Sequence, residues 1–114
     1  MKLNCRREDM IEQVFKLTQG NDKTIEKVIL DEDINYMHMI LNEGEGLPEH
    51  FANAKSVYMT VVRGTLSAKY DEQEVHEYPA GTVIKVPFHT WMVIKNNHKE
   101  TLELIVVKAP APQN

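Results

Sequence analysis

The chain has 114 residues, 42% hydrophobic and 26% charged, a balance that predicts one folded domain over residues 1–114 and argues against general disorder. The net charge of -4 and the scattered lysines and arginines argue against a nucleic-acid partner. No apolar run is long enough to span a membrane, the N-terminal sequence lacks the apolar stretch of a secretory signal, and a single cysteine, Cys5, fits a reducing compartment, so we expect a cytoplasmic protein.

In chain order, the sequence predicts short strands and little helix. Residues 9–17 fit either a short helix beginning at Asp9 or a strand, and residues 18–23 fit a turn. Strands are predicted where β-branched and aromatic residues cluster between turn residues. They cover residues 24–30, 34–41, 56–63, 65–70, 73–78, 82–86, 90–95 and 101–108. About eight short strands at regular spacing predict an all-β sandwich or barrel, and two similar glycine-led units favour a jelly roll.

The first of these units, residues 44–64, has a spacing that is typical of one family. Gly44 is followed after five residues by His50, then by Ala52 and Val57, and after six more residues by Gly64. This frame resembles the first motif of a small single-domain cupin: glycine, five residues, His-x-His, three or four residues, Glu, six residues, Gly.

The second unit, residues 81–96, carries the other half of the resemblance. Gly81 is followed after five residues by Pro87, then by His89 and Met92, and after three more residues by Asn96. The second cupin motif is glycine, five residues, Pro-x-Gly, two residues, His, three residues, Asn. Because both frames match without an insertion, the resemblance implies a cupin-like double-stranded β-helix, that is, a jelly-roll barrel.

The metal site that the resemblance implies is degenerate in this chain. Cupins usually bind a divalent metal through three His and one Glu, and of those positions only His50 is retained. Ala52, Val57 and Met92 replace the other three ligands. Alanine and valine cannot coordinate a metal, and a thioether is a soft ligand, so we expect no metal cofactor at these four positions.

We therefore predict a protein that binds a small molecule in the barrel pocket, without deciding whether it is also an enzyme. Side chains alternate along a strand, so Met59 shares the face of Val57, and Ile94 and Asn96 share that of Met92. The predicted ligand-binding residues are His50, Asn53, Met59, His89 and Met92.

Three of these residues have a simpler interpretation. In the simpler interpretation, the role of His50 is limited to a local hydrogen bond, and Asn53 is an ordinary turn residue. His89 can be present because histidine tolerates a positive φ angle in the turn after Pro87. The methionines, Met37, Met39, Met59 and Met92, fit gap-filling in a core better than a copper site.

The alternative hypothesis is a metal-dependent cupin enzyme, an isomerase, decarboxylase or dioxygenase, with a rearranged divalent metal site formed by His50, His89 and His38, or with Asn53 in place of His38. In either case we expect a homodimer, since small cupins are commonly dimeric and an edge-rich sandwich gains from pairing its edges. The region around Phe15 to Leu30 is the predicted interface.

Overall fold

The computed structural model describes residues 11–111, which form nine β-strands in two facing antiparallel sheets. The strands in chain order are β1 (Thr24–Leu30), β2 (Asn35–Leu41), β3 (His50–Phe51), β4 (Ser56–Arg63), β5 (Thr65–Tyr70), β6 (His76–Pro79), β7 (Val83–Pro87), β8 (Trp91–Lys95) and β9 (Leu102–Ala109). The large sheet has the order β1-β2-β9-β4-β7, and the small sheet has the order β3-β8-β5-β6. The predicted all-β jelly roll is confirmed.

The predicted strands agree closely with the observed ones. β1, β4 and β5 have the predicted bounds, and β2, β7, β8 and β9 shift by one residue at one or both ends. The strand β6 begins three residues later than predicted, and the two-residue β3 was not predicted. Residues 13–19 form neither of the two alternatives, helix or strand, and Asp9 lies outside the described residues. Among residues 11–111, no helix has the length and apolarity that crossing a membrane requires.

The core lies between the sheets because apolar residues occupy alternate positions on the strands that form them. Val57, Met59 and Val61 of β4 are all buried, as the alternation predicts. Along β9, Leu102, Leu104 and Val106 form the matching inner row. Each such side chain contributes about 1.5–3 kcal/mol when it leaves water, so these rows hold the two sheets together.

One end of the barrel is closely packed. Leu41, Leu66 and Leu102 are completely buried there. Gly64 joins β4 to β5 at this end with a φ of +81°, and a Cβ at this position would lie 2.4 Å from the carbonyl oxygen of Thr101. Asn96 is also fully buried, and its amide donates hydrogen bonds to the carbonyl oxygens of Leu41 and Glu100. Because this end is closely packed, a cavity is expected toward the opposite end of the barrel.

Candidate ligand-binding site

A cavity of about 200 Å³ lies between the two sheets toward the other end of the barrel. Its walls are mainly apolar. Four methionines contribute to the lining: Met37, Met39, Met59 and Met92. The remaining lining residues are Ile25, Leu47, Pro48, His50, Val57, Ile94, Val106 and Lys108. Ile25, on the edge strand β1, is 48% exposed and marks the side on which the cavity opens to solvent.

The methionines line this cavity because side chains alternate between the two faces of a strand. Met37 and Met39 are two residues apart on β2, and Met59 lies on the inner face of β4, where Val106 of β9 is its direct partner. Met92 comes from β8 of the small sheet, and its thioether therefore faces the other three across the cavity. Unbranched thioether side chains adapt their shape easily, so the walls can fit closely around a small apolar group.

His50 lies on the small-sheet wall of the cavity. It pairs with Met92 across the β3–β8 ladder, and its side chain is half-buried. Its Nδ1 atom lies 2.8 Å from the carbonyl oxygen of Pro48. A carbonyl oxygen only accepts hydrogen bonds, so Nδ1 carries a proton and Nε2 is the ring atom that remains for a ligand.

Asn53 and His89, both predicted to bind a ligand, lie outside the cavity lining. Both side chains are exposed. His89 has a φ of +70°, so its place in the turn is consistent with the tolerance of histidine for this backbone conformation. Its ring stacks on Phe51 with centroids 4.6 Å apart. The structure thus brings His50, Met59 and Met92 together in one cavity and leaves Asn53 and His89 on the surface beside it.

His38 lies on the outer face of the large sheet, away from the cavity. The imidazole is completely buried between two carboxylates, with Nδ1 2.6 Å from Glu26 Oε2 and Nε2 2.6 Å from Glu103 Oε2. Because an ionised carboxylate only accepts hydrogen bonds, this arrangement is satisfied when both ring nitrogens donate. The hydrogen bonds from His38 and from the backbone and hydroxyl of Thr18 hold the pKa of Glu26 below its ordinary value.

Lys108 is the charged lining residue, and it is absent from the ligand-binding residues predicted from the sequence. It pairs with Val57 across the β4–β9 ladder and continues the inner row of Leu102, Leu104 and Val106. Burial lowers the pKa of the Lys108 ammonium, and the positive charge of Lys27 on β1 lowers it further. The parity of β9 was the available signal, because a lysine two residues beyond three inward apolar residues falls on their face.

The donor set at the cupin metal positions does not fit a divalent cation. His50 supplies one imidazole and Met92 one thioether, while Ala52 and Val57 are buried apolar residues without a donor atom. The three histidines of the rearranged site, His50, His89 and His38, lie on the cavity wall, on the exposed turn and on the outer sheet face, respectively. Within the described residues, no group of three or more His, Cys, Asp or Glu side chains is placed to hold a metal ion.

One relative matches this chain over nearly its whole length. It is the uncharacterized protein MJ0764 of Methanocaldococcus jannaschii, 34% identical over 105 residues, which cover 91% of this chain and 90% of the relative. The crystal structure of that protein is described as an RmlC-like cupin family protein with a double-stranded β-helix fold. It aligns with a TM-score of 0.84 over 89% of this chain and 93% of its own.

More distant structures share the fold. The TT1209 protein of Thermus thermophilus aligns with a TM-score of 0.71 at 19% identity, over 82% of this chain and 89% of its own. A cupin superfamily protein of Desulfitobacterium hafniense aligns with a TM-score of 0.69 at 13% identity, over 82% of this chain and 83% of its own. No model of a protein family matches the sequence.

Proposed function

Because the chain belongs to the RmlC-like cupin family, we propose that it binds a small, mainly apolar organic molecule in the cavity between its two sheets. The observation that carries the proposal is the lining: of the twelve described residues that form it, ten are apolar, and the two polar ones are His50 and Lys108. Small-molecule sites are commonly built from apolar walls and a few polar groups that fix orientation. An apolar cavity of about 150 Å³ accepts benzene, so the volume here suits a compact ligand.

The two parts of the lining have separate roles in this proposal. Met59, Met92 and Val57 contact the apolar body of the ligand, and their burial of its surface supplies most of the binding free energy. His50 offers its Nε2 atom to a polar substituent. The fold alone does not define the ligand, since cupin-like barrels are a scaffold on which the site determines the chemistry.

Toluene is a suitable first ligand, because it is close to the size of the cavity and has no polar group. We expect it to bind the wild-type protein and to raise the melting temperature with increasing concentration. The variant Val106→Phe places a ring in the cavity and is expected to weaken toluene binding by about tenfold or more. Val107→Phe is the matched control, since its side chain lies on the opposite face of the same strand.

The toluene experiment has a clear negative result. If wild-type protein gives no binding by calorimetry or by ligand-observed NMR, the proposed use of the cavity is wrong. If both valine variants weaken binding equally, toluene binds elsewhere. Circular dichroism of both variants establishes that each one has the wild-type fold before binding is compared.

A metal-dependent enzyme of isomerase, decarboxylase or dioxygenase type is the competing proposal. We place it second because the cupin metal positions offer one imidazole and one thioether, where three or four ligands are normal. Elemental analysis of protein purified without chelator tests it. Near-stoichiometric divalent metal would favour the enzyme, and less than about 0.1 equivalent per chain would exclude a three-ligand site. In either case the single cysteine leads us to propose the cytoplasm as the compartment.

A further inference from the structure

Lys108 gives the cavity an electrostatic character that its apolar walls do not suggest. The side chain lies on the large-sheet wall, with Val57 of β4 beside it on one flank and Asn35 of β2 on the other. His50 faces it from the small sheet. Among the described residues that line the cavity there is a cation, Lys108, and no aspartate or glutamate.

The charge of Lys108 is not compensated by the protein in the part of the chain that the structure describes. None of the ion pairs formed within residues 11–111 includes Lys108. The charge of Lys27, which has the same sign, lowers the pKa of Lys108 further. A half-buried ammonium beside a second lysine is unfavourable, and a bound anion would relieve both the burial and the repulsion.

Asn35 adds a second polar group at this end of the barrel. It is buried, and its side-chain oxygen has no hydrogen-bond partner among residues 11–111. It is the direct partner of Lys108 across the β2–β9 ladder. Because an amide oxygen only accepts hydrogen bonds, Asn35 can accept one from the neighbouring Lys108 ammonium but does not itself bind a carboxylate.

We propose that the ligand of this cavity is a small organic carboxylate, with its apolar ring or branched chain among the methionines and its carboxylate paired with Lys108. This inference rests on the proposed function and narrows its ligand class. The cavity of about 200 Å³ admits a benzene-sized group. A charge-assisted hydrogen bond from the ammonium to the carboxylate fixes the orientation of the ligand.

A soft metal ion such as Cu(I) is a weaker alternative for the same space. Met37, Met39, Met59 and Met92 supply thioether sulfurs, and His50 supplies one nitrogen. The positive charge of Lys108 on the same wall repels any cation, whereas it attracts a carboxylate. Charge complementarity therefore favours the anionic ligand.

Phenylacetate and phenylacetamide form a matched pair for the test, since they have almost the same shape and differ in charge. By titration calorimetry we expect wild-type protein to bind phenylacetate about tenfold or more tightly than phenylacetamide. Lys108→Met is expected to remove this preference by weakening phenylacetate about tenfold, with phenylacetamide changed less than about twofold. Lys99→Met, which removes an exposed lysine from the β8–β9 loop, is the control and is expected to keep the wild-type preference.

The outcomes separate this inference from the proposal on which it rests. If both compounds bind wild-type protein equally and Lys108→Met changes neither, the cavity is a ligand site but the carboxylate assignment is wrong. If neither compound nor toluene binds, the proposed function fails, and the inference fails with it. Raising the salt concentration provides a readout without a variant: phenylacetate binding should weaken while phenylacetamide binding stays constant. Equal salt dependence would overturn the inference.

Discussion

Val57 and Lys108 are direct partners across the β4–β9 ladder, and both side chains line the same cavity. Val57 stands at the position where the cupin motif has a metal-binding glutamate. A carboxylate there would have been the immediate neighbour of the lysine ammonium. In this chain the fixed anion is absent and the cation is present, so the electrostatics of the site favour a ligand that carries the negative charge itself.

Replacing Lys108 should stabilise the protein while it weakens carboxylate binding. The folded state holds the pKa of this lysine below its ordinary 10.5, so the charged form is disfavoured in the folded protein. The stability cost is therefore complete at pH values below the lowered pKa, falls as pH rises from that value, and is gone above 10.5. We expect Lys108→Met to have a higher melting temperature than wild type at pH 7 without ligand, because methionine fills similar space without charge.

Thermal unfolding followed by circular dichroism measures this effect, with Lys99→Met as the control that removes an equal charge from an exposed loop. A lower melting temperature for Lys108→Met would mean that the lysine has a structural partner. That result would contradict the proposal that the charge of Lys108 is uncompensated in the protein and is held for a ligand. The trade-off between stability and binding is expected where a site is built for a ligand of opposite charge.

Glu26 should make the fold sensitive to acid. Its pKa is lowered from 4.5 first by the hydrogen bond with His38 and then by that with the backbone of Thr18. A carboxylate with a lowered folded pKa contributes stability that is complete above its ordinary pKa and is lost as pH falls through the folded value. We therefore expect Glu26→Gln to be less stable than wild type at pH 7 and the difference to shrink below pH 4.5.

Urea unfolding between about pH 3 and pH 7 tests the role of Glu26. The control is Glu72→Gln, which changes an exposed residue in the turn after β5. A difference between wild type and Glu26→Gln that stays the same at every pH would show that the carboxylate charge is not involved.

Gly64 should be the glycine that least tolerates a side chain. In Gly64→Ala the new Cβ would lie 2.4 Å from a backbone oxygen at a φ of +81°, and backbone cannot move aside as a flexible side chain can. We expect a loss of about 2 kcal/mol or more in the free energy of unfolding.

Gly44→Ala provides the comparison for this substitution. Gly44 has a φ of +83° with nothing near the added Cβ, so it isolates the conformational strain, about 1–2 kcal/mol. Equal losses in the two alanine variants, measured by denaturant unfolding, would remove the steric argument at Gly64.

Strand parity explains how far the sequence could predict this site. The fold followed from short β-branched segments and two glycine frames, and Met59 and Met92 were placed correctly because each lies on a strand with a clear inner face. Asn53 and His89 lie in connections between strands, where the alternation of side chains does not apply and cannot predict which way a residue faces. β2 is apolar on both faces, so the sequence could not decide whether His38 or its methionine neighbours faced inward.

The pairing of strands that are distant in sequence was the other limit on what the sequence could predict. Glu26 and His38 lie on consecutive strands, but Glu103 is 65 residues from His38 in sequence, and only the pairing of β2 with β9 brings it to them. Lys108 differs from these residues because its face could have been read from β9 itself. A lysine on the same strand face as inward-facing apolar residues is easily assigned to solvent, since lysines are seldom buried without a partner.

We also propose that the protein is a homodimer. Residues 11–20 are exposed along their whole length, including Ile11, Val14 and Phe15. The adjacent edge strand β1 carries Ile25 and Leu30, both exposed, so an apolar surface continues from this segment onto the sheet edge. Exposed apolar surface of this kind beside an unpaired edge favours association with a second copy.

Light scattering at micromolar concentration should therefore give twice the chain mass. The double variant Val14→Ser and Phe15→Ser should shift the protein toward monomer without altering the circular dichroism of the sheets. A monomer mass for the wild-type protein would contradict the dimer and would leave the cavity proposal unaffected.

A crystal structure of the protein grown with phenylacetate would show directly whether Lys108 binds the carboxylate. We expect density for the ring among Met37, Met59 and Met92, with a carboxylate oxygen within about 3 Å of the Lys108 ammonium nitrogen. Density at a metal-like distance from His50 without a carboxylate on Lys108, or a cavity that stays without organic density at saturating phenylacetate, would contradict it.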